Sequence, residues 1–234
     1  MELHIGTSGY SYKEWKGSFY PDDLSNKDML SYYGEHLDAV EINNTFYRLP
    51  KASVLEGWAG QVPDGFQFSI KASRKITHFT RLKSGSRDPT EYLLSTLDAF
   101  GDRLGVVLFQ LPPNFKKDVE CFSEFLEMLP AGTPAAWEFR HESWFDDEVY
   151  DLLRGRGMAL VCADTEEPED DELIVNTASW GYLRLRRATY NDNDLERWAQ
   201  SVAAQGWDRA FVFFKHDDAG AGPKMAARFA EIAG

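Results

Sequence analysis

Ionisable and amide side chains recur at one kind of place along this chain, the tip of a short apolar run. Glu41 and Asn43 close Ala39-Val40-Glu41-Ile42-Asn43, and Lys71 ends Phe66-Gln67-Phe68-Ser69-Ile70-Lys71. Gln110 ends Val106-Val107-Leu108-Phe109-Gln110, and Glu138 and Arg140 close Ala136-Trp137-Glu138-Phe139-Arg140. Asp164 ends Ala159-Leu160-Val161-Cys162-Ala163-Asp164, Arg184 and Arg186 close Tyr182-Leu183-Arg184-Leu185-Arg186, and Lys215 ends Phe211-Val212-Phe213-Phe214-Lys215. Carboxylates whose surroundings separate their pKa values can act as acid and base. Glu41, Glu138 and Asp164 are therefore the candidate catalytic residues. Arg grips a phosphate or carboxylate through its planar fork, and Lys as a point charge. Lys71, Arg140, Arg184, Arg186 and Lys215 are candidate ligand-binding residues on that ground, with Asn43, Arg74, Gln110 and His141 beside them. The competing use of such charges is a closed internal ion network without a ligand, because buried charge is costly unless paired.

The runs must be strands for this to work. Side chains alternate across a strand, so Glu41 shares a face with Asn43, Ser69 with Lys71, Glu138 with Arg140, and Arg184 with Arg186. Val40 and Ile42, Phe68 and Ile70, Trp137 and Phe139, and Leu183 and Leu185 take the opposite face. With Leu3–Ser8 at the start, there are eight such runs. Helix signals fill most gaps: Ser25 to Tyr33, Ser53 to Gly60, a start at Thr90, Val119 to Leu129, Asp146 to Arg154, Asp194 to Ala204, and Pro223 to Ile232. The alternation predicts an α/β fold, a single (β/α)8 TIM barrel spanning residues 1–234 as one domain. Its charged tips converge at the C-terminal mouth, where chemistry sits in such barrels. A doubly wound open sheet is the competing architecture. Gly6-Thr7-Ser8-Gly9 is too short for the dinucleotide fingerprint of that fold, and no cofactor is expected.

The chain has 234 residues, 43% of them hydrophobic, enough for a sizeable core. No stretch approaches the roughly 20 apolar residues of a membrane span. The chain opens straight into a strand, and Cys121 and Cys162 read as separate core residues without a disulfide. A cytoplasmic protein is the expectation. The net charge of −13 disfavours nucleic acid as a partner and leaves a small anionic ligand as the better one. From Lys71 to Arg87 there are nevertheless six basic residues and no acidic one, whereas Asp164 to Glu172 carries seven carboxylates. Nucleic-acid binding or processing is kept as an alternative on the strength of that basic segment and the aromatics. Tyr10, Tyr12, Trp15, Phe46, Tyr47, Trp144 and Tyr190 fall just after strands, where they either stack on a ligand or pack the loops. Tyr12, Trp15, Tyr47 and Trp144 are taken as ligand-binding candidates. His78, His141 and His216 could join Glu138 and Asp164 in a mixed metal site, but no His-x-His or His-Glu-x-x-His spacing is present, so no metal is expected. Asp217 to Lys224 contains Gly-Ala-Gly and could cradle a phosphate, although its two Asp residues oppose an anion.

Several motifs together resemble a known family. They are Gly6-Thr7-Ser8-Gly9-Tyr10 with Trp15, Gly17 and Phe19-Tyr20-Pro21, then Val40-Glu41-Ile42-Asn43-Asn44-Thr45-Phe46-Tyr47-Arg48. Phe68-Ser69-Ile70-Lys71-Ala72-Ser73-Arg74 with Ile76-Thr77-His78, Leu108-Phe109-Gln110-Leu111-Pro112-Pro113, and Glu138-Phe139-Arg140-His141 with Ser143-Trp144 complete the set. The chain is similar over essentially its whole length to domain-of-unknown-function family 72, the YecE-like proteins. The resemblance implies a TIM barrel and assigns no reaction. The chain departs from the family pattern at Arg184-Leu185-Arg186-Arg187-Ala188, where Arg-x-His-Gly-Arg is frequent. It departs again at Lys215-His216-Asp217, where paired Asn is frequent.

Overall fold

Each apolar run is a strand, and the eight strands close on themselves. The computed structural model describes residues 1–164, 174–215 and 220–234. The strands are β1 (Glu2–Ser8), β2 (Ala39–Ile42), β3 (Gln67–Lys71), β4 (Leu104–Gln110), β5 (Ala135–Glu138), β6 (Ala159–Ala163), β7 (Trp180–Leu185) and β8 (Arg209–Phe214). All neighbours are parallel and follow chain order, and β8 returns to pair with β1. The helices among the described residues are α1 (Met29–Gly34), α2 (Ala52–Ala59), α3 (Arg87–Leu97), α4 (Val119–Met128), α5 (Asp147–Arg156), α6 (Asp192–Ala203) and α7 (Ala221–Ala233). This is the TIM barrel that the strand–helix alternation predicts.

Two apolar cores follow from the period-2 alternation. The outer one, between strands and helices, takes Val40, Ile42, Phe68, Ile70, Trp137, Leu183 and Leu185. The inner one fills the lower barrel with Val106, Leu108, Tyr182, Phe211 and Phe213, and the small Ala39, Ala136 and Ala159 leave room for those rings. Inward positions above this layer are polar, so the barrel is plugged below and charged at its C-terminal mouth. At the β1–β2 seam the Tyr33 hydroxyl intervenes in the backbone ladder. It accepts from the Thr7 N–H at 2.9 Å and donates to the Ala39 carbonyl at 2.9 Å. A Cβ on Gly6 would stand 1.8 Å from that carbonyl oxygen, so only glycine fits there.

Some boundaries differ from the sequence reading. α1 starts at Met29 rather than near Ser25, whose hydroxyl instead bonds the Asp28 carboxylate at 2.8 Å in the preceding turn. α3 starts at Arg87, and Thr90, inside its first turn, bonds back to the Ser86 carbonyl at 2.7 Å. α7 starts at Ala221, with Gly220 at φ 77° as its N-cap, so Pro223 lies within the first turn. The acidic run after Asp164, and His216, Asp217 and Asp218 of the loop after β8, lie outside the described residues. Cys121 is half-buried and Cys162 is buried.

Candidate functional site

A guanidinium holds the mouth together. Arg184, near the end of β7, reaches across the barrel to Glu41 on β2 through Nε at 2.9 Å and Nη2 at 2.8 Å. Its Nη1 donates to Glu138 Oε2, the last residue of β5, at 2.6 Å. Glu41 is fully buried and also accepts from Ser8 Oγ at 2.9 Å, Asn43 Nδ2 at 2.8 Å and Tyr182 Oη at 2.7 Å. A carboxylate offers about four lone-pair positions, so Glu41 is saturated. Burial opposes its ionisation, but the Arg184 charge and these hydrogen bonds prevail and hold its pKa below the ordinary carboxylate value. Glu138 accepts from Gln110 Nε2 at 2.7 Å and Arg140 Nε at 3.2 Å. Burial is again outweighed, here by Arg184, Arg140, Gln110 and Arg186, and its pKa falls to about 2. Both carboxyls are therefore anions at neutral pH.

Lys71, the last residue of β3, is built differently. Its Nζ donates to the neutral amide oxygen of Gln110 at 2.8 Å and lies 4.6 Å from the centre of the Phe46 ring. No carboxylate lies within ion-pair distance of it among the described residues. Burial, then the Arg184 charge, lower its pKa to about 8 against the pull of Glu41 and Glu138. The other side of this corner is His78, whose ring meets Phe46 edge-on at 4.8 Å and whose Nδ1 bonds Thr77 Oγ1 at 2.9 Å. Burial and the charges of Lys71, Arg140 and Arg81 lower the His78 pKa, so the imidazole is neutral at pH 7. His78 sits in a single π-helical turn, Lys75–Phe79, and Arg81 and Leu82 just after it adopt positive φ of 49° and 64°. Such local departures from regular backbone concentrate at functional sites.

Asp164 anchors the third side. It is buried, accepts from the Arg186 main-chain N–H at 2.6 Å and from the Tyr190 hydroxyl, and lies 3.7 Å from Arg187 Nε. Arg186 in turn stands 3.8 Å from Glu138. Two clefts open beside this frame. One of about 490 Å³ is lined by Glu138, Arg140, Glu142, Phe145 and Arg186 among others. The other, of about 290 Å³, runs along Gly9 to Tyr12 and Ile42 to Asn44, where the buried Asn43 Oδ1 has no hydrogen-bond partner among the described residues. Among the described residues no group of three or more His, Cys, Asp or Glu is placed to hold a metal ion.

This barrel and its motifs have relatives. The family model described as "Protein of unknown function DUF72" matches residues 4–234. The chain belongs to the DUF72 family. It is 28% identical over 221 residues to the UPF0759 protein YunF of Bacillus subtilis, covering 88% of this chain and 72% of that one. It is 32% identical over 169 residues to the UPF0759 protein YecE of Escherichia coli, covering 70% of this chain and 59% of that one. A crystal structure of a DUF72 family protein from Thermotoga maritima superposes with a TM-score of 0.86 at 26% identity, covering 99% of each chain. One from Enterococcus faecalis, at 17% identity and TM-score 0.83 over 99% of this chain and 95% of that one, shares the fold.

Within this DUF72 barrel, Glu41, Asn43, Lys71, Gln110, Glu138, Arg140, Arg184, Arg186 and Asp164 form one connected group at the strand ends. Other residues named from the sequence sit elsewhere. Trp15 and Trp144 are 1% and 0% exposed and pack beneath the loops, Trp144 donating to the Phe115 carbonyl at 2.6 Å. Tyr12 is half-buried, closes a loop onto the Ser8 carbonyl at 2.8 Å and lines the smaller cleft beside Asn43. Tyr47 is 67% exposed under the Arg74 guanidinium, which also lies over Phe79, and Tyr47 and Phe79 line a separate outer groove. His141 caps the short turn after β5 by accepting from the Ser143 N–H, and Lys215 is exposed beyond β8. Tyr182 and Ser8 contact the frame directly but are absent from the sequence-derived site, and Phe46, one of the aromatics noted after the strands, lies against Lys71. Tyr182 shares the inward parity of Arg184, and that parity is the signal that could have found it.

Proposed function

We propose that the barrel mouth binds a small anion bearing a phosphate or carboxylate group and acts on it by acid–base chemistry. One observation carries the reading. Arg184 engages Glu41 and Glu138 together, while Lys71, Arg140 and Arg186 surround the same frame with cationic groups. Among the described residues, Arg140 binds the frame through Nε alone, and the residue lines the larger cleft. A bidentate grip on an oxyanion needs that arrangement. Glu41, Glu138 and Asp164 then act as the anionic frame that positions the cations. Hydrolysis by a carboxyl pair needs one carboxyl kept protonated, whereas Glu41 and Glu138 are held ionised. Acid–base work falls instead to Lys71, whose pKa near 8 lies close to working pH.

Thermal melting with phosphate, pyrophosphate and citrate, with glucose as the neutral control, tests this reading. A ligand at 100-fold excess over its Kd stabilises by about 2.7 kcal/mol, so the anions should raise the Tm and glucose should not. Arg140→Met should abolish the shift relative to its own baseline. The absence of any shift in the wild type favours the closed ion network, a reading to which the saturated Glu41 also lends itself. A labelled oligonucleotide whose binding weakens steeply with salt would favour the nucleic-acid alternative.

A further inference from the structure

Lys71 has the construction of a nucleophile rather than of a simple counter-charge. Its hydrogen-bond partner is the neutral Gln110 amide, not a carboxylate, and an aromatic face lies against it. Gln110 is held by Glu138, which is held by Arg184, so the amine is aimed by a chain of buried groups at 2.8, 2.7 and 2.6 Å. A lysine becomes nucleophilic when it is desolvated and set beside another cation, and here Arg184 and Arg140 are those cations. Glu41 and Glu138 act in the opposite direction, and His78 faces the same corner as a neutral imidazole. With a pKa near 8, roughly a tenth of the Nζ groups carry a free lone pair at pH 7.

We propose that Lys71 forms an imine with its substrate, and that the substrate class is a small ketone or aldehyde carrying a carboxylate or phosphate group. This inference rests on the anion-binding reading above, because Arg140 and Arg186 must grip the anionic end to bring the carbonyl to Nζ. In the reaction the Nζ lone pair attacks the carbonyl carbon, and the C=O π pair moves to oxygen. A proton passes from nitrogen to that oxygen, with His78 as the relay, giving a carbinolamine. The nitrogen lone pair then expels the oxygen as water with one further proton, and the product is a protonated imine. Amine, carbonyl compound and one proton become the iminium ion and water, and nothing is oxidised or reduced.

The test uses the whole protein with pyruvate or glyoxylate and sodium cyanoborohydride, which reduces an imine to a stable secondary amine. Peptide mapping by mass spectrometry should place the adduct on Lys71 ahead of exposed lysines such as Lys13, Lys51 and Lys83. Acetone, which lacks the anionic group, should label Lys71 at least about tenfold more slowly, the equivalent of one lost charge-assisted hydrogen bond. Arg140→Met should slow labelling by pyruvate to a similar degree. Lys71→Arg should remove the adduct while keeping a cooperative melt, and the wild type should show the phosphate-induced Tm shift. Adducts confined to exposed lysines, with that Tm shift intact in the wild type, overturn the imine and leave the anion site standing. Absence of both the shift and the Lys71 adduct overturns both.

Discussion

Arg184 is the residue on which the mouth turns, because among the described residues it alone spans the two buried glutamates. Arg184→Met should cost about 3–5 kcal/mol by denaturant unfolding, since removing one partner strands buried charge. Arg184→Lys should recover little of it, because an ammonium cannot fork between two carboxylates. The pH dependence follows from the direction of each shift. Glu138 has its folded pKa lowered from 4.5 to about 2, so it contributes stability that is present above pH 4.5 and lost as pH falls to about 2. Across that window the wild type should lose stability relative to Glu138→Gln in urea titrations. Lys71 is lowered from 10.5 to about 8, so the folded state binds fewer protons than the unfolded chain between those values. Wild type should therefore gain stability relative to Lys71→Met as pH rises from about 8 to 10.5, and a flat difference would contradict the buried amine. Strand parity made Glu41, Lys71, Glu138 and Arg184 legible in the sequence. Which glutamate meets which arginine was not legible, because Glu41 and Arg184 stand 143 positions apart and meet only across a closed barrel. Tyr182 escaped notice because a tyrosine inside an apolar run reads as core, and its ring does pack there while its hydroxyl bonds Glu41.

The strands were easier to read than the helices, because a buried parallel strand is a short, dense apolar run bounded by polar residues. Helix starts were less legible where a Ser or Thr hydroxyl serves a turn instead of a cap, as at Ser25 and Thr90. The aromatic residues show the same ambiguity, since a loop tryptophan near a mouth can face inward or pack beneath. Trp144 packs beneath, stacked on Phe139 at 4.8 Å and edge-on to Phe122 at 5.4 Å, and so ties the loop after β5 to α4. Trp144→Ala should cost about 3–5 kcal/mol, as for other large-to-small core changes. It should also shrink the phosphate-induced Tm shift, because Arg140 is carried on that loop. Trp144→Phe keeps the ring packing and loses the bond to the Phe115 carbonyl, so about 1 kcal/mol is expected.

At the scale of the whole molecule, the overall charge of −13 says little about the mouth, where Lys71, Arg140, Arg184, Arg186 and Arg187 face Glu41, Glu138 and Asp164. A global composition averages over a surface, whereas a barrel gathers one residue from each strand into a single local field. Among the described residues no helix is long and apolar enough to cross a membrane. The barrel's closure has a consequence for how the protein is made. β1 pairs with β8 through six residue positions, from Glu2 with Arg209 to Thr7 with Phe214, but with β2 through only three. The Tyr33 hydroxyl occupies part of the β1–β2 seam. The strand that completes β1 is thus synthesised after every other strand, and closing so long a loop is entropically slow. A ribosome-stalled chain ending at Asp208 should expose β1 to protease, while one released with β8 and α7 should protect it. A circular permutant that opens before β2 and links α7 to β1 would put the two strands of this six-position seam side by side in synthesis, and should fold faster than the natural order.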